Sequence, residues 1–200
     1  MAKRKLCDQC KRPVSVCYCQ FISKHANEWP VTILQHYKET HHPLSTATIA
    51  KLGLSHCDIL LSNDPYYHEK KEQLINQQPL LIYPGEESIP IEEMKFEKPR
   101  PLVFLDGTWR KTRLLLHESP ELNQITKVSI NPDSISRYRI RKSPNPQALS
   151  TLEAIVHVLS LLEKDQTKFQ SLLDAMDQMV NKQIELMGEE TFKRNYLNKD

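Results

Sequence analysis

Only four glycines occur in the 200 residues, and they form neither G-x-G-x-x-G nor G-x-x-x-x-G-K-[ST]. A Gly-rich cradle for a dinucleotide or for nucleotide phosphates is therefore excluded, because such loops need glycine where the backbone must approach the phosphate. No apolar run approaches the ~20 residues of a membrane-spanning helix. Met1 to Lys5 leads into cysteines rather than the apolar core of a secretory signal, so a cytoplasmic protein without membrane attachment is expected. Internal repeats and H-E-x-x-H metal spacing are also absent. With 39% hydrophobic and 26% charged residues the chain is neither a membrane protein nor disordered. At 23.3 kDa it is long enough for one domain with a small appendage and an unstapled core.

Charge of one sign is not in excess overall, the net value being +2, yet it is unevenly spread. Residues 1–30 carry 6 Lys/Arg against 2 Asp/Glu, and residues 100–142 carry 9 against 4, while the stretches 31–99 and 151–200 are net acidic. Two basic islands can form a nucleic-acid contact surface, or simply a solvated face. Four of the five cysteines crowd into thirteen residues, as Cys7, Cys10, Cys17 and Cys19. In a reducing compartment such clustering points to metal rather than to disulfides. Four thiolates close the tetrahedral shell of zinc and leave no open position, so the expected site is structural. A redox pair of Cys7 and Cys10 is the rival, disfavoured by hydrophilic flanks that do not form a strand–helix unit. Cys57 stands alone as a small buried hydrophobe.

Apolar and β-branched runs predict strands at Val31–His36, Asp58–Leu61, Leu80–Tyr83, Leu102–Leu105 and Lys127–Ile130. Helices are expected over Leu44–Leu52, ended by Gly53 in the left-handed conformation, and from an Asp64-Pro65 start to Ile75. Further helices are expected after Trp109, from the Ser150-Thr-Leu-Glu153 capping box onward, and over Thr167 to Met187. Glu86 to Lys98 reads as an exposed connection. Strands alternating with helices make an α/β protein with a mainly parallel sheet, whose ligands bind beyond the carboxyl ends of the strands. Three loops lie there: His36–Ser45, Pro84-Gly85 and Asp106–Arg110.

Asp106 ends the most apolar strand, so its carboxylate is expected at the mouth of the sheet, partly desolvated. It could accept a proton there or cap the following helix. Trp109 could stack on a base or merely pack. Arg137, Arg139 and Arg141, followed by Lys142, alternate as an extended segment would present them, either gripping carboxylate or phosphate or forming a basic edge strand. The helix start at Ser150 offers backbone N–H groups to an anion. Glu39 and the histidines at 36, 41 and 42 invite a catalytic metal, but His41 and His42 cannot share a helical face and no H-E-x-x-H spacing appears, which favours loop structure, substrate contact and N-capping by Ser45 as their uses.

Together these segments resemble the DTW-domain family of tRNA-uridine aminocarboxypropyltransferases. The resemblance is carried by CDQCKRPVSVCYC at 7–19, ILQHYKETHHPLSTATIAKLGL at 33–54, LLIYPGE at 80–86, VFLDGTWRKTR at 103–113 and YRIRKSPNPQALSTLEAI at 138–155, in family order. The Asp-x-Thr-Trp signature stands as Asp106-Gly107-Thr108-Trp109. The resemblance implies a SPOUT-like sheet with a C-terminal trefoil knot, spanning residues 29–200 behind a zinc knuckle at 1–28. It implies S-adenosylmethionine as co-substrate and tRNA as partner, with no obligate protein partner. The implied reaction moves the 3-amino-3-carboxypropyl group to N3 of a tRNA uridine and releases 5′-methylthioadenosine.

On that reading Asp106, Thr108 and Trp109 are the candidate catalytic residues. Tyr83, Pro84, Gly85, Leu105, Asp106, Gly107, Leu149, Ser150 and Thr151 would bind the co-substrate. His36, His42, Arg110, Arg137, Arg139, Arg141 and Lys142 would meet RNA or the donor carboxylate. The rivals are a SPOUT-like RNA methyltransferase using the same donor and a non-catalytic zinc-dependent RNA-binding module.

Overall fold

The short apolar runs become strands because their branched side chains alternate between two buried faces. In the computed structural model, which describes residues 5–40, 42–131, 135–140 and 148–197, they are β1 (Val31–Gln35), β2 (Cys57–Leu61), β3 (Leu80–Ile82), β4 (Ile89–Pro90), β5 (Leu102–Asp106) and β6 (Thr126–Ser129). All pair in parallel in the order β2-β1-β5-β3-β6-β4. The mainly parallel α/β sheet expected from the sequence is thus observed. The helices are α1 (Ala47–Gly53), α2 (Tyr67–Ile75), α3 (Trp109–Glu118), α4 (Thr151–Leu162), α5 (Gln170–Met187) and α6 (Glu189–Phe192).

Strand parity sorts the core. Val31, Ile33, Leu80, Ile82, Leu102 and Phe104 face α1, α4 and α5 in one buried cluster. Leu34, Leu81 and Val103 face the opposite way, onto Tyr67 and Leu74 of α2 and onto Leu122 and Ile125. Burying these apolar surfaces supplies most of the stabilisation, roughly 1.5–3 kcal/mol per fully buried large side chain. Cys10 and Tyr18 join the first cluster, so the cysteine segment is packed against the body of the protein.

Three local expectations are corrected. Gly53 is not left-handed; it is the last residue of α1, followed by extended Leu54. Its missing Cβ is a matter of space, since one built there would lie 2.2 Å from Leu172 Cδ2 of α5. Asp64 is not the N-cap of α2; from the turn ahead of the helix its carboxylate accepts the Tyr66 N–H at 2.8 Å and pairs with Lys70 within the helix. The Glu86–Lys98 stretch is not merely an exposed connection, because β4 pairs with β6 and Ile91 is 4% exposed. The expected trefoil knot concerns the chain between β6 and α4, of which residues 132–134 and 141–147 lie outside the described residues. Among the described residues no helix is long and apolar enough to cross a membrane.

Candidate active site

Parallel strands carry their carboxyl ends to one edge, and there Gln35 of β1 stands in register with Asp106 of β5. Both belong to the strand face that looks toward α4. Asp106 is 8% exposed, and its carboxylate accepts from Gln35 Nε2 at 2.7 Å and from Thr151 Oγ1 at 2.5 Å. A buried carboxylate without such donors would be strongly disfavoured. Asp106 is not the cap of α3: Thr108 takes that position, accepting the Lys111 N–H at 3.4 Å. Its carboxylate is therefore not engaged in capping.

Two cavities meet beside this carboxylate, with Gly107, Trp109, Ser150 and Thr151 lining both. One, about 310 Å³, is mostly apolar and runs under the ends of β3, β5 and β6, with Tyr83, Pro84, Leu105, Leu149 and Ala154 in its wall. Tyr83 and Trp109 meet edge to face across it, ring centroids 6.3 Å apart. The other, about 400 Å³, holds Asp106, Thr108, Lys111, Glu39, His42 and Tyr138. Gly107 lies between His36 and Lys111, where an added Cβ would come within 3.0 Å of Lys111 Cβ.

The polar cavity is braced from several elements. Lys111 Nζ of α3 pairs with Glu39 Oε1 at 2.5 Å, and Tyr138 donates its hydroxyl to the Leu44 carbonyl at 2.9 Å. Ser150 accepts the Glu153 N–H at 3.3 Å while Glu153 accepts the Ser150 N–H at 2.7 Å, completing the capping box expected for α4. Glu153 also accepts from Ser136 Oγ and the Arg137 N–H, fastening residues 136–137 to the same helix start. His36 is buried and accepts the Lys38 N–H at its Nδ1. Burial, with Lys111 and Lys38 nearby, lowers its pKa below the ordinary value.

Most of the candidates named from sequence line one of these cavities. Gly85 and His36 do not: the Gly85 backbone N–H is tied to Ser88 Oγ, and His36 is buried outside both linings. Arg110 is exposed on the first turn of α3. Arg137 binds Asp174 and Asp177 of α5, and Arg139 reaches Asn181 on the same helix. These two guanidinium groups are held by α5 and line neither cavity. Arg141 and Lys142 lie outside the described residues. Gln35, Thr46, Lys111, Tyr138 and Tyr196 are site groups absent from the candidates above, and Glu39, considered there only with the neighbouring histidines, joins them through Lys111. Strand parity could have flagged Gln35, since it shares a face with Val31 and Ile33; nothing in the pattern signals Tyr196.

The four cysteines form a second centre. Their sulfurs all lie within 4.8 Å of one another, with Cys7–Cys19 and Cys10–Cys17 at 3.8 Å. Four ligands ~2.3 Å from a tetrahedral metal are separated by about 3.8 Å, so the donor set fits zinc. Backbone N–H groups of Cys10 and Gln9 aim at Cys7 and lower its thiol to about 6. Burial holds Cys17 and Cys19 above the ordinary thiol value. Binding a cation would reverse that burial effect by favouring the thiolates.

A profile of the DTW domain matches residues 4–184. A protein named tRNA-uridine aminocarboxypropyltransferase 2 from Drosophila melanogaster is 31% identical over 207 residues, covering 99% of this chain and 82% of the relative. A protein of that name from Macaca fascicularis is 27% identical over 92% of this chain and 65% of its own length. Its namesake from Mus musculus is 26% identical over 98% and 69% respectively.

Proposed function

The chain belongs to the DTW-domain family, and from that premise we propose that it is a tRNA-uridine aminocarboxypropyltransferase, with S-adenosylmethionine as donor and uridine N3 as acceptor. The observation that carries this reading is the Asp106 carboxylate, aligned by Gln35 and Thr151 at the junction of an apolar and a polar cavity. The apolar cavity suits the donor, with its flat adenine and methylsulfonium body. The polar cavity suits an extruded uracil, whose carbonyl oxygens would meet donors such as Lys111 and Thr108.

In the reaction uridine N3 bonds to the γ-carbon of the donor side chain, and the carbon–sulfur bond breaks. Its electron pair returns to sulfur, leaving neutral 5′-methylthioadenosine, while the N3 proton departs. An imide nitrogen is nucleophilic only as that proton leaves, and Asp106 is the carboxylate beside both cavities to accept or orient it. All three carbons on a sulfonium are electrophilic, so the side chains that fix the donor decide which one N3 meets. Zinc on Cys7, Cys10, Cys17 and Cys19 would brace the knuckle and take no part in transfer. The family reading also brings the trefoil knot, the division into a knuckle at 1–28 and a catalytic domain at 29–200, and a cytoplasmic location. The basic residues Arg110, Arg141 and Lys142 remain candidates for tRNA backbone.

Donor labelled separately in the methyl and the aminocarboxypropyl carbons tests the reading. Side-chain label entering tRNA is the expected result. Methyl label would instead make the protein a methyltransferase, and tRNA binding without any label would leave an RNA-binding module.

A further inference from the structure

A further cavity, about 600 Å³, is not part of the site described above. It runs between the cysteine segment, the side chains of Thr40, His42 and Pro43, and α5, and His42 borders both it and the polar cavity that holds Asp106. Lys11, Arg12 and His42 line it, and among the described residues no aspartate or glutamate does. Arg12 is only 9% exposed, its guanidinium stacked 5.1 Å from the centre of the Tyr18 ring. Its Nε is buried with no hydrogen-bond partner among the described residues. A guanidinium desolvated to this degree ordinarily has an anion, because burying a cation without one is costly.

We propose that this groove seats a phosphodiester of the RNA strand flanking the target uridine, with Arg12 as its main ligand and Lys11 and His42 at its margins. The inference rests on the tRNA reading above. A nucleotide drawn into the polar cavity brings its flanking phosphates with it, and the adjoining cavity past His42 is the cationic one. The planar fork of Arg12, already stacked on Tyr18, matches phosphate oxygens two at a time, which a lysine could not do. The competing role for Arg12 is to balance the thiolates of the neighbouring cysteine cluster, since Cys10 also borders the groove.

The test is direct binding of tRNA to the zinc-loaded full chain across a salt series, without donor, for the parent, Arg12→Ala, Arg12→Lys and Lys11→Glu. Arg12→Ala is expected to weaken binding about tenfold or more. It should also flatten the logarithmic salt dependence by about one phosphate contact. Arg12→Lys should fall between it and the parent. Lys11 is exposed, so Lys11→Glu tests the groove should Arg12→Ala fold poorly; weakened tRNA binding with full zinc content supports the proposal. Unchanged tRNA affinity in Lys11→Glu, with Arg12→Ala either unchanged or losing zinc, would overturn it. Inorganic phosphate as competitor separates a simple anion site, which it would block at low millimolar concentration, from a strand-dependent one. The former result also counts against the proposal. If the parent binds tRNA through this groove yet transfers nothing, the activity reading fails and the groove stands. If transfer proceeds and the groove variants bind tRNA normally, the reverse holds.

Discussion

The two cavities that share Trp109 and Thr151 are built by different means. The apolar one is mainly a product of the sheet: the ends of β3, β5 and β6 and the first turns of α3 and α4 make most of its wall, joined by Asn131, Ala148 and Leu149 from the connection between β6 and α4. The polar one is a product of loops, held open by the Glu39–Lys111 pair, the Tyr138–Leu44 bond and the Gln35–Asp106–Thr151 chain. A sheet can guarantee a crevice at its carboxyl edge, but only side chains from several loops can tell one acceptor from another. On the proposed function, donor fit belongs to the rigid half and acceptor chemistry to the braced half, and each can be perturbed alone.

The sharpest separation comes from Asp106→Asn. The amide keeps the shape and can still bond Gln35 and Thr151, but it cannot take a proton. Transfer should fall about 10²- to 10⁴-fold, while donor and tRNA affinities by calorimetry stay near the parent's. Parental turnover in the variant would remove the proton-handling role and blur the division. Next in size is Ala154→Leu, which pushes a larger side chain into the apolar cavity. Donor affinity should drop roughly 10- to 200-fold, and tRNA affinity should not move; equal losses in both would mean the two cavities are one. Smaller again is Lys111→Met, which leaves the half-buried Glu39 carboxylate without its partner. Turnover should fall several-fold, and the double variant with Glu39→Gln should recover part of it, as coupled pairs do. Donor affinity unchanged in both would keep the loss on the polar side.

The rigid half was the legible half. LVFL at 102–105 announced a strand buried on both faces, so Asp106 at its end had to stand at the sheet's edge, and S-T-L-E announced the start of α4. The four-cysteine cluster was equally plain, because thiolate spacing is a local signal. What the sequence left dark depends on contacts between distant residues. Glu39 and Lys111 are 72 positions apart, and no pattern pairs them. Arg137 and Arg139 show the converse: α5 supplies Asp174, Asp177 and Asn181 opposite them, which local pattern could not anticipate. Gly53 looked like a helix stop because glycine so often is one, whereas Leu172, more than a hundred residues on, is the reason for it.

The smallest expected effect is the share of the pH dependence that His36 gives to the braced half. His36 is held neutral by burial, with the cations of Lys111 and Lys38 adding to the effect, so its folded pKa lies below the ordinary 6.5. Above that value both folded and unfolded chains carry the neutral ring, and its contribution to stability is fully present. As pH falls below it the unfolded chain takes up the proton first, so stability declines toward the lowered folded value, by at most about 1.4 kcal/mol per pH unit for one proton. His25 is lowered too, by burial and by Lys168, and slopes the same way. Comparing the parent with His36→Gln cancels His25 and isolates the His36 term. The melting temperature of the variant should be less acid-sensitive between neutral pH and mildly acidic pH. Protonation also removes the acceptor for the Lys38 N–H, in the turn that carries Glu39. Acid should therefore loosen the Glu39–Lys111 brace and weaken acceptor turnover before it weakens donor binding. Equal acid sensitivity in the two proteins would detach His36 from the effect, and donor binding that fails first would undo the contrast between the two cavities.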